Sequence, residues 1–276
     1  MNVEVLLSAM NLQNMDIAEK SNIHSDCIII NQCDKIGCCS EKKEYGIVRM
    51  IYTTERGLSK SRNMALANSK ADICVLCDDD VIYVNNYDVI IKNAFKEIPD
   101  ADLIVFNINS INTDVREQET YFKKIRRIPW YKMYSSVHIA FKRNSIVNNN
   151  LKFDERFGAG SGIYSMAEDS LFFAKVHQCG LKAYVYPAVI ADLYTDKSSW
   201  FLGYNQKYFF DVGAFLQAAF PKLKYILSFY YPVRLRKQTK LRTLDCLRWI
   251  WKGIKGYNAG MSFFEFIGDN DEGEKQ

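Results

Sequence analysis

Three adjacent carboxylates, Asp78, Asp79 and Asp80, directly follow the apolar run ICVLC (73–77). Burying like charges side by side is unfavourable unless a cation or hydrogen bonds compensate them. In an extended segment Asp78 and Asp80 share a face, where two carboxylates can hold a hard divalent ion such as Mg²⁺ or Mn²⁺. A diphosphate would complete the coordination of that ion. The alternative is a solvated acidic turn without a ligand.

A second group of polar residues lies upstream, in the stretch ERGLSKSRNMAL (55–66). It combines a glycine, a predicted helix capped by Ser59, and the cations Arg56, Lys60 and Arg62. Helix N-termini and arginines both favour phosphate groups. The stretch is therefore a candidate phosphate site, with an ordinary capped surface helix as the alternative.

A third candidate is the pair Glu168 and Asp169, at the start of a predicted helix that ends near Gly180. The field at a helix N-terminus favours the ionised form of a carboxylate. A carboxylate held in this way and pointing into a crevice can act as a general base. The alternative is that the pair only caps the helix.

Alternating strands and helices position these residues. Strand-like runs are predicted at 3–9, 26–31, 46–52, 72–77, 102–109, 136–142 and 182–190, and helices at 60–69, at 87–98 and from residue 168. This alternation predicts a parallel or mixed sheet covered by helices. Such sheets bind ligands at the carboxyl ends of their strands, so the position of the three aspartates favours a binding site.

Two segments together resemble a known family. GLSKSRN (57–63), followed by a strand that ends in Asp-x-Asp, is similar to the nucleotide-sugar half of a family 2 glycosyltransferase. FDERFGAGSGIYSMAEDSLFFAKVHQCGLKAYVYP (153–187) is similar to the acceptor half. The resemblance implies an α/β GT-A fold, a Rossmann-like, mixed and mostly parallel sheet flanked by helices. It covers residues 1–205, with the nucleotide-sugar half at 1–109 and the acceptor half at 110–205.

The resemblance also implies a role for each candidate on the donor side. Asp80 would bind the metal, Mn²⁺ or Mg²⁺, and Asp78 would hold the ribose of the nucleotide sugar or share the metal. Asp79 would belong to the same nucleotide-sugar site, and Arg62 would contact the diphosphate or the base. The expected donor is a nucleotide diphosphate sugar, with UDP as its nucleotide.

On the acceptor side, the resemblance implies that Asp169, with Glu168 beside it, is the general base that deprotonates an acceptor hydroxyl. A single in-line displacement would then invert the anomeric configuration. The expected reaction is sugar transfer to a saccharide in the synthesis of a bacterial surface polysaccharide. The rival hypotheses are a non-catalytic subunit that binds sugar nucleotides or membranes, and a sugar nucleotidyltransferase.

The sequence departs from the family pattern in two places. Ser8 and Asn31 stand where many relatives have other residues that contact the base, and both could hydrogen-bond a base. Relatives often supply a late histidine as a further metal or phosphate ligand, but the stretch ADLYTDKSSW (191–200) contains none. Asp192 or Asp196 could replace it.

Other residues with potential chemistry are predicted to be structural. The histidines are expected to lie in strands, a helix or their flanks: His24, His138 and His177. Cys74 and Cys77 form a C-x-x-C inside a strand, where their side chains face opposite ways, so they are expected in the core. CDKIGCC (33–39) could bind zinc, although no second ligand cluster is evident.

Composition places the chain among ordinary globular proteins, with 276 residues, 48% hydrophobic and 25% charged. The start of the chain lacks the pattern of a secretory leader, and the eight cysteines are expected to be reduced thiols. We therefore expect a protein of the cytoplasm.

Residues 206–276 are predicted to form a helical, basic and aromatic extension with an acidic tail. Segment 221–256 contains ten Lys and Arg and one acid, and 121–132 contains five cations. No run reaches the length of a spanning helix, but aromatic residues with cations suit an anionic membrane surface. This favours a lipid-linked acceptor and peripheral association with the inner face of the cell membrane. A solvated helical extension is the alternative, and nucleic acid is not an expected partner.

Overall fold

The computed structural model describes residues 1–111, 121–194, 201 and 203–273. One mixed sheet runs through the molecule, and its strands follow the order β3-β4-β2-β1-β5-β9-β7-β10-β6, with β8 paired to β10. The strands are β1 Val3–Met10, β2 Asp26–Gln32, β3 Gly37–Lys43, β4 Gly46–Thr53, β5 Ile73–Asp78, β6 Val81–Tyr83, β7 Leu103–Ile111, β8 Arg126–Arg127, β9 Ile139–Lys142 and β10 Ala183–Tyr194.

The helices cover the sheet and form the C-terminal part of the chain. They are α1 Ile17–Lys20, α2 Leu58–Asn68, α3 Tyr87–Glu97, α4 Arg143–Asn148, α5 Glu168–Gln178, α6 Gln206–Ala219, α7 Lys224–Leu227, α8 Tyr230–Arg234, α9 Thr243–Ala259 and α10 Phe263–Gly273. Most paired residues lie in the parallel ladders β1–β2, β1–β5, β2–β4 and β7–β10. The predicted GT-A architecture, with a helical C-terminal region, is confirmed.

The core consists of two apolar layers, one on each face of the sheet. Val5 and Leu7 of β1 belong to one layer and Leu6 to the other, as the alternation of side chains along a strand requires. Cys77 and Cys74 likewise lie in opposite layers and are both buried, which confirms the prediction that they are core residues.

The structure differs from the predicted elements at several points. Strand β3, GCCSEKK, was not predicted because its exposed, polar residues lack apolar alternation; it is an edge strand held by antiparallel pairing with β4. Residues 136–138 form a short 3₁₀ turn before β9. Helix α2 has Gly57, not Ser59, at its N-cap, and the Ser59 hydroxyl instead donates to the Phe157 carbonyl (2.7 Å).

A third apolar cluster joins the C-terminal helices to the rest of the protein. Leu171 and Ala174 of α5 pack in the same cluster as Phe210 of α6 and Ile250 of α9. The boundary at residue 205 stays a prediction, although α6 begins at Gln206. Within the described residues, no helix combines the length and apolar character that crossing a bilayer requires.

Two glycines allow α6 and α9 to approach closely. A Cβ at Gly213 would lie 2.0 Å from the Ile250 carbonyl oxygen, and one at Gly253 would lie 1.9 Å from that of Phe210. Both obstacles are helix backbone, which cannot move aside as a flexible side chain can. The packing of these two helices therefore requires residues without a side chain at both positions.

Replacing Gly253 by alanine is expected to lower the free energy of unfolding by about 2–3 kcal/mol, because the added methyl overpacks the α6–α9 contact. Urea denaturation followed by circular dichroism measures the effect. Gly268→Ala in α10 is the matched control, since no atom lies within 4 Å of its added Cβ. The control should keep or slightly raise the stability. Equal stability of both variants would contradict the close contact.

Candidate functional site

The acidic stretch lies where the sequence places it, at the carboxyl end of a buried strand. Residues 73–77 of β5 are buried, Asp78 ends the strand, and Asp79 and Asp80 form an exposed turn before β6. The neighbouring β1 is parallel to β5, with Ser8 opposite Asp78. The crevice at this edge of the sheet therefore carries three adjacent carboxylates.

The Arg62 side chain is the centre of the site. Helix α2 carries it into the interior, where only 2% of the side chain is exposed. Its Nη2 donates to both oxygens of Asp78 (3.1 and 3.2 Å), and its Nη1 donates to Oδ1 of Asp169 (2.6 Å). One guanidinium thus connects the end of β5 to the start of α5, two points 91 residues apart in sequence.

Arg62 also lies 3.9 Å from Oε1 of Glu168 and donates to the Ser136 hydroxyl (2.6 Å). Burial alone would lower the pKa of the guanidinium, but the charges of Asp169, Asp78 and Glu168 outweigh it and hold the pKa above its ordinary value. The arginine is therefore a fixed positive charge, and its hydrogen-bonding groups are engaged by the protein itself.

The carboxylates of α5 are positioned from several sides. Ala167, in a left-handed conformation (φ 75°), is the N-cap of α5. The side chain of Asp169 does not cap its own helix; its Oδ2 accepts from the backbone N–H of Ser136 (2.9 Å). Asp169 therefore faces Arg62 and Ser136, a position that favours the proposed site role over capping for this residue.

Glu168 has an unusual protonation behaviour. Burial, followed by the adjacent charge of Asp169, raises the pKa of its carboxyl to about 7, although Arg62 opposes the shift. Gly158 allows Glu168 to occupy this place: it adopts φ 103°, and a Cβ there would lie 3.0 Å from the side-chain carbons of Glu168. The Glu168 carboxyl can therefore hold or release a proton near neutral pH.

The exposed aspartates also carry excess negative charge. Burial, followed by the charge of Asp78, raises the pKa of Asp80 to about 6 and also raises that of Asp79. Among the described residues, no group of three or more His, Cys, Asp or Glu is arranged to hold a metal ion by itself. A divalent cation at this turn would therefore need a ligand to complete its coordination, because these residues form no closed protein cage.

The two proposed substitutes for the missing histidine differ in position. Asp192 lies on β10, two residues before Tyr194, whose backbone N–H donates to the carbonyl of Asp80 (3.0 Å). The Asp192 carboxylate accepts from the side chain of Asn109 (2.7 Å). It therefore belongs to the strand next to the acidic turn. Asp196 lies outside the described residues.

The two residues predicted to contact the base are occupied by other contacts. The amide of Asn31 is fully buried and exchanges hydrogen bonds with the backbone of Leu12 (3.0 and 2.8 Å). Ser8 is also buried, and its hydroxyl accepts from Ser61 (2.7 Å). In this structure both residues hold neighbouring segments together, so their geometry does not support a direct contact with a base.

Two residues of the site were not found from the sequence. Ser136 binds both Arg62 and Asp169, and Ser61 reaches Ser8 from α2. Ser136 lies 33 residues from Asp169 and 74 from Arg62 in sequence. Ser61 lies 53 residues from Ser8, so no local sequence pattern could indicate these contacts. The glycine loop, FGAGSG (157–162), lies within the segment that resembles the acceptor half of the family. Its Gly160 packs directly on Gly57 at the start of α2.

The remaining candidates have structural surroundings. His138 is buried, and its Nδ1 lies 2.9 Å from the Phe106 carbonyl, while burial lowers the pKa of His177. Cys38 and Cys39 are exposed neighbours on β3, where successive side chains point to opposite faces. The described residues thus give no support to a zinc site at 33–39.

Comparison with known proteins agrees with this geometry. The family model described as Glycosyl transferase family 2 matches residues 16–160. Structures of S. aureus TarS 1-349 in complex with UDP-GlcNAc and with UDP are similar, with TM-scores of 0.61 and 0.59 and 12% identity. Each comparison covers 95% of this chain and 93% of the other. None of the curated proteins matches the chain in sequence.

Replacing Arg62 by glutamine is expected to lower the free energy of unfolding by about 3 kcal/mol, because it leaves three carboxylates without their buried counter-charge. Chemical denaturation at pH 7 measures this. The loss should shrink as the pH falls, because protonation removes the repulsion. Arg242→Gln is the control: that arginine is 83% exposed and pairs with Asp245, so its loss should change the stability far less. Equal losses in both variants would contradict a central role for Arg62.

Proposed function

The chain belongs to glycosyl transferase family 2, and we propose that it is an inverting, metal-dependent enzyme that transfers a sugar from a UDP sugar to a saccharide hydroxyl. The observation that carries this proposal is the buried Arg62, which binds Asp78 at the end of β5 and Asp169 at the start of α5. It joins the proposed donor side to the proposed acceptor side.

The donor is proposed to occupy the crevice above β1 and β5. The UDP and UDP-GlcNAc complexes of TarS support a uridine nucleotide as the donor group. Because Arg62 is buried and bound by protein groups, we propose that it positions the carboxylates and does not itself contact the diphosphate. Asp78 and Asp79 remain the candidates that face the nucleotide sugar.

The fit of the acidic stretch to a divalent ion supports Mn²⁺ or Mg²⁺ as cofactor. Asp80 and Asp78 would hold the ion, with Asp192 on the adjacent strand as a further candidate. When bound, such an ion neutralises the negative charge that develops on a leaving nucleoside diphosphate. Burial, followed by the charge of Asp78, raises the pKa of Asp80, and a bound cation would oppose that shift by favouring the ionised carboxylate.

The Glu168 and Asp169 pair is proposed to take the proton of the acceptor hydroxyl. Asp169 is held by Arg62 and Ser136 and acts as the base, while Glu168 sets the protonation state of the pair near neutral pH. The raised pKa belongs to Glu168, and a carboxyl whose pKa lies near the working pH can both take up and release a proton there. Attack from the face opposite the leaving group would invert the anomeric configuration.

The acceptor is proposed to be a lipid-linked saccharide in bacterial surface polysaccharide synthesis, with the enzyme on the cytoplasmic face of the membrane. The basic and aromatic residues of 121–132 and 221–256 support this placement. A non-catalytic subunit remains the rival hypothesis, and release of nucleoside diphosphate discriminates between them.

With Mn²⁺ and a panel of sugar nucleotides, the protein is expected to release UDP from one UDP sugar, even slowly and without an acceptor. Asp80→Asn should reduce the rate by about a hundredfold or more, because it removes a charged metal ligand, and chelation should abolish it. Coupled detection of UDP measures the release.

Asp100→Asn is the matched control, because Asp100 is an exposed aspartate that pairs with Lys182 (3.0 Å) and should leave the rate unchanged. Release of pyrophosphate in place of UDP would identify a nucleotidyltransferase. The absence of any release, together with no Mn²⁺-dependent binding of a sugar nucleotide, would favour the non-catalytic subunit.

The rate of transfer to an acceptor is expected to fall as the pH drops below about 7, because the raised pKa of Glu168 lets the pair take up a proton there. Glu168→Gln should remove this step from the pH profile, and Asp169→Asn should lower the rate at every pH. Profiles of kcat/KM measure both effects. A wild-type profile without a step within about one pH unit of the Glu168 pKa, that is between about pH 6 and 8, would contradict the assignment.

A further inference from the structure

The C-terminal part of the chain exposes an unusual apolar surface. Two short helices, α7 and α8, present large apolar side chains to solvent; we call these residues the α7–α8 surface: Leu223, Tyr225, Ile226, Phe229, Tyr230 and Val233. Ile226 is 72% exposed and Val233 61% exposed. Trp251 of α9 extends the surface, since its ring contacts that of Tyr225. Contiguous apolar exposure of this kind marks an interaction site.

Positive charge surrounds this surface. The ten cations of segment 221–256 face a single acid, Asp245, which forms ion pairs with Arg242 and Arg248. Other cations lie against aromatic rings: Lys224 is 5.2 Å from the centre of the Tyr225 ring, and Arg234 is 5.6 Å from that of Tyr230. The surface therefore combines apolar side chains with an excess of positive charge.

The structure brings the second basic segment to the same place. Trp130 and Tyr131, both more than half exposed, belong to the cation-rich stretch 121–132. The Trp130 ring packs on Phe220, the residue that ends α6 just before α7 (centroid distance 6.0 Å). Two stretches that are separate in sequence thus form one aromatic and basic face.

The charge of this face decides between possible occupants. A second copy of the chain would bring a like-charged surface against it, and such repulsion opposes a symmetric dimer. An anionic lipid bilayer offers negative headgroups for the cations and an apolar interior for Ile226, Phe229 and Val233. Tyrosine and tryptophan are favoured at the boundary between headgroups and acyl chains.

The loop after α8 contacts the segment that leads into α6. Thr239, in the loop after α8, donates to the Tyr204 carbonyl (2.8 Å), and the Tyr204 ring packs on that of Tyr208 (4.9 Å). Tyr208 lines a cavity of about 110 Å³ together with Ser165 and Lys207. Ser165 lies three residues before Glu168, so the cavity is close in the chain to the proposed base.

We propose that the α7–α8 surface, together with Trp130 and Tyr131, docks on an anionic lipid bilayer and presents a membrane-held saccharide to the proposed acceptor side of the protein. The docking surface rests on exposure and charge alone. The identity of its cargo rests on the proposed transferase function, and it places the acceptor among saccharides linked to lipid.

The test measures binding of the full chain to vesicles by flotation. The wild type should bind vesicles that contain phosphatidylglycerol and should bind pure phosphatidylcholine at least about tenfold more weakly. Binding should weaken as salt is raised, because the charges lie at the surface. Ile226→Asp with Val233→Asp should weaken it by about tenfold or more, since both side chains lose their apolar contact with lipid.

The matched control is Val89→Asp with Val147→Asp, which places the same charges at exposed apolar positions of α3 and α4. This variant should bind vesicles like the wild type. UDP release without vesicles should be equal in all three proteins, so a failure of docking is separate from a failure of the transferase assignment. Both double variants change exposed residues, and thermal denaturation checks that they fold.

Equal binding of the wild type and of the double variant at Ile226 and Val233 would overturn the proposal. Equal binding of the wild type to vesicles with and without phosphatidylglycerol would also overturn it. Self-association of the wild type that is lost in the same variant, without vesicle binding, would assign the surface to a dimer and also overturn it. Docking confirmed without UDP release would retain the membrane surface and reject its role in sugar transfer.

Discussion

A single buried guanidinium fixes the geometry of the site. Arg62 is carried by α2, binds Asp78 at the end of β5 and binds Asp169 at the start of α5. A buried charge is tolerated only while its partners stay in place, because the loss of one partner leaves an uncompensated ion. The helix, the strand and the second helix must therefore keep their relative positions. The same requirement couples the proposed metal side to the proposed base, since both depend on one cation.

Close backbone contacts make this arrangement possible. Gly57 at the start of α2 packs against Gly160, and the backbone N–H of Leu58 donates to the Ala159 carbonyl (2.9 Å). The loop that carries Ala159 and Gly160 also contains Gly158, which leaves room for Glu168. A side chain at any of the three glycines would also require a positive φ that non-glycine residues rarely adopt. The glycine loop thus holds the start of α2 close to the segment that precedes α5 and keeps Glu168 in its desolvated position.

The sequence predicts the parts of this protein whose signals are local. The buried strands and the acidic stretch were found because apolar runs and adjacent carboxylates are visible within a few residues. Strand β3 was missed because an exposed edge strand needs no apolar pattern, only pairing with its neighbour. The contacts of Ser136 with Asp169 and of Asn31 with Leu12 join distant segments, and Ser59 was assigned to a cap because its partner, Phe157, lies 98 residues away. The types of the site residues could be predicted, whereas the partners that hold them could not.

Charges of one sign are concentrated at two surfaces of the molecule. At the carboxyl end of β5 three aspartates are adjacent, and burial, followed by the charge of Asp78, raises the pKa of Asp80 to about 6. Segment 221–256, which contains α7 and α8, has ten cations and one acid. The aspartates after β5 and the cations of segment 221–256 lie on different elements, so these two groups of charges do not pair with each other. Concentrated charge of one sign weakens folding through self-repulsion, so its presence at two sites is best explained by ligands of opposite sign. The proposed divalent cation with a nucleotide sugar would satisfy the first surface, and the proposed anionic bilayer would satisfy the second.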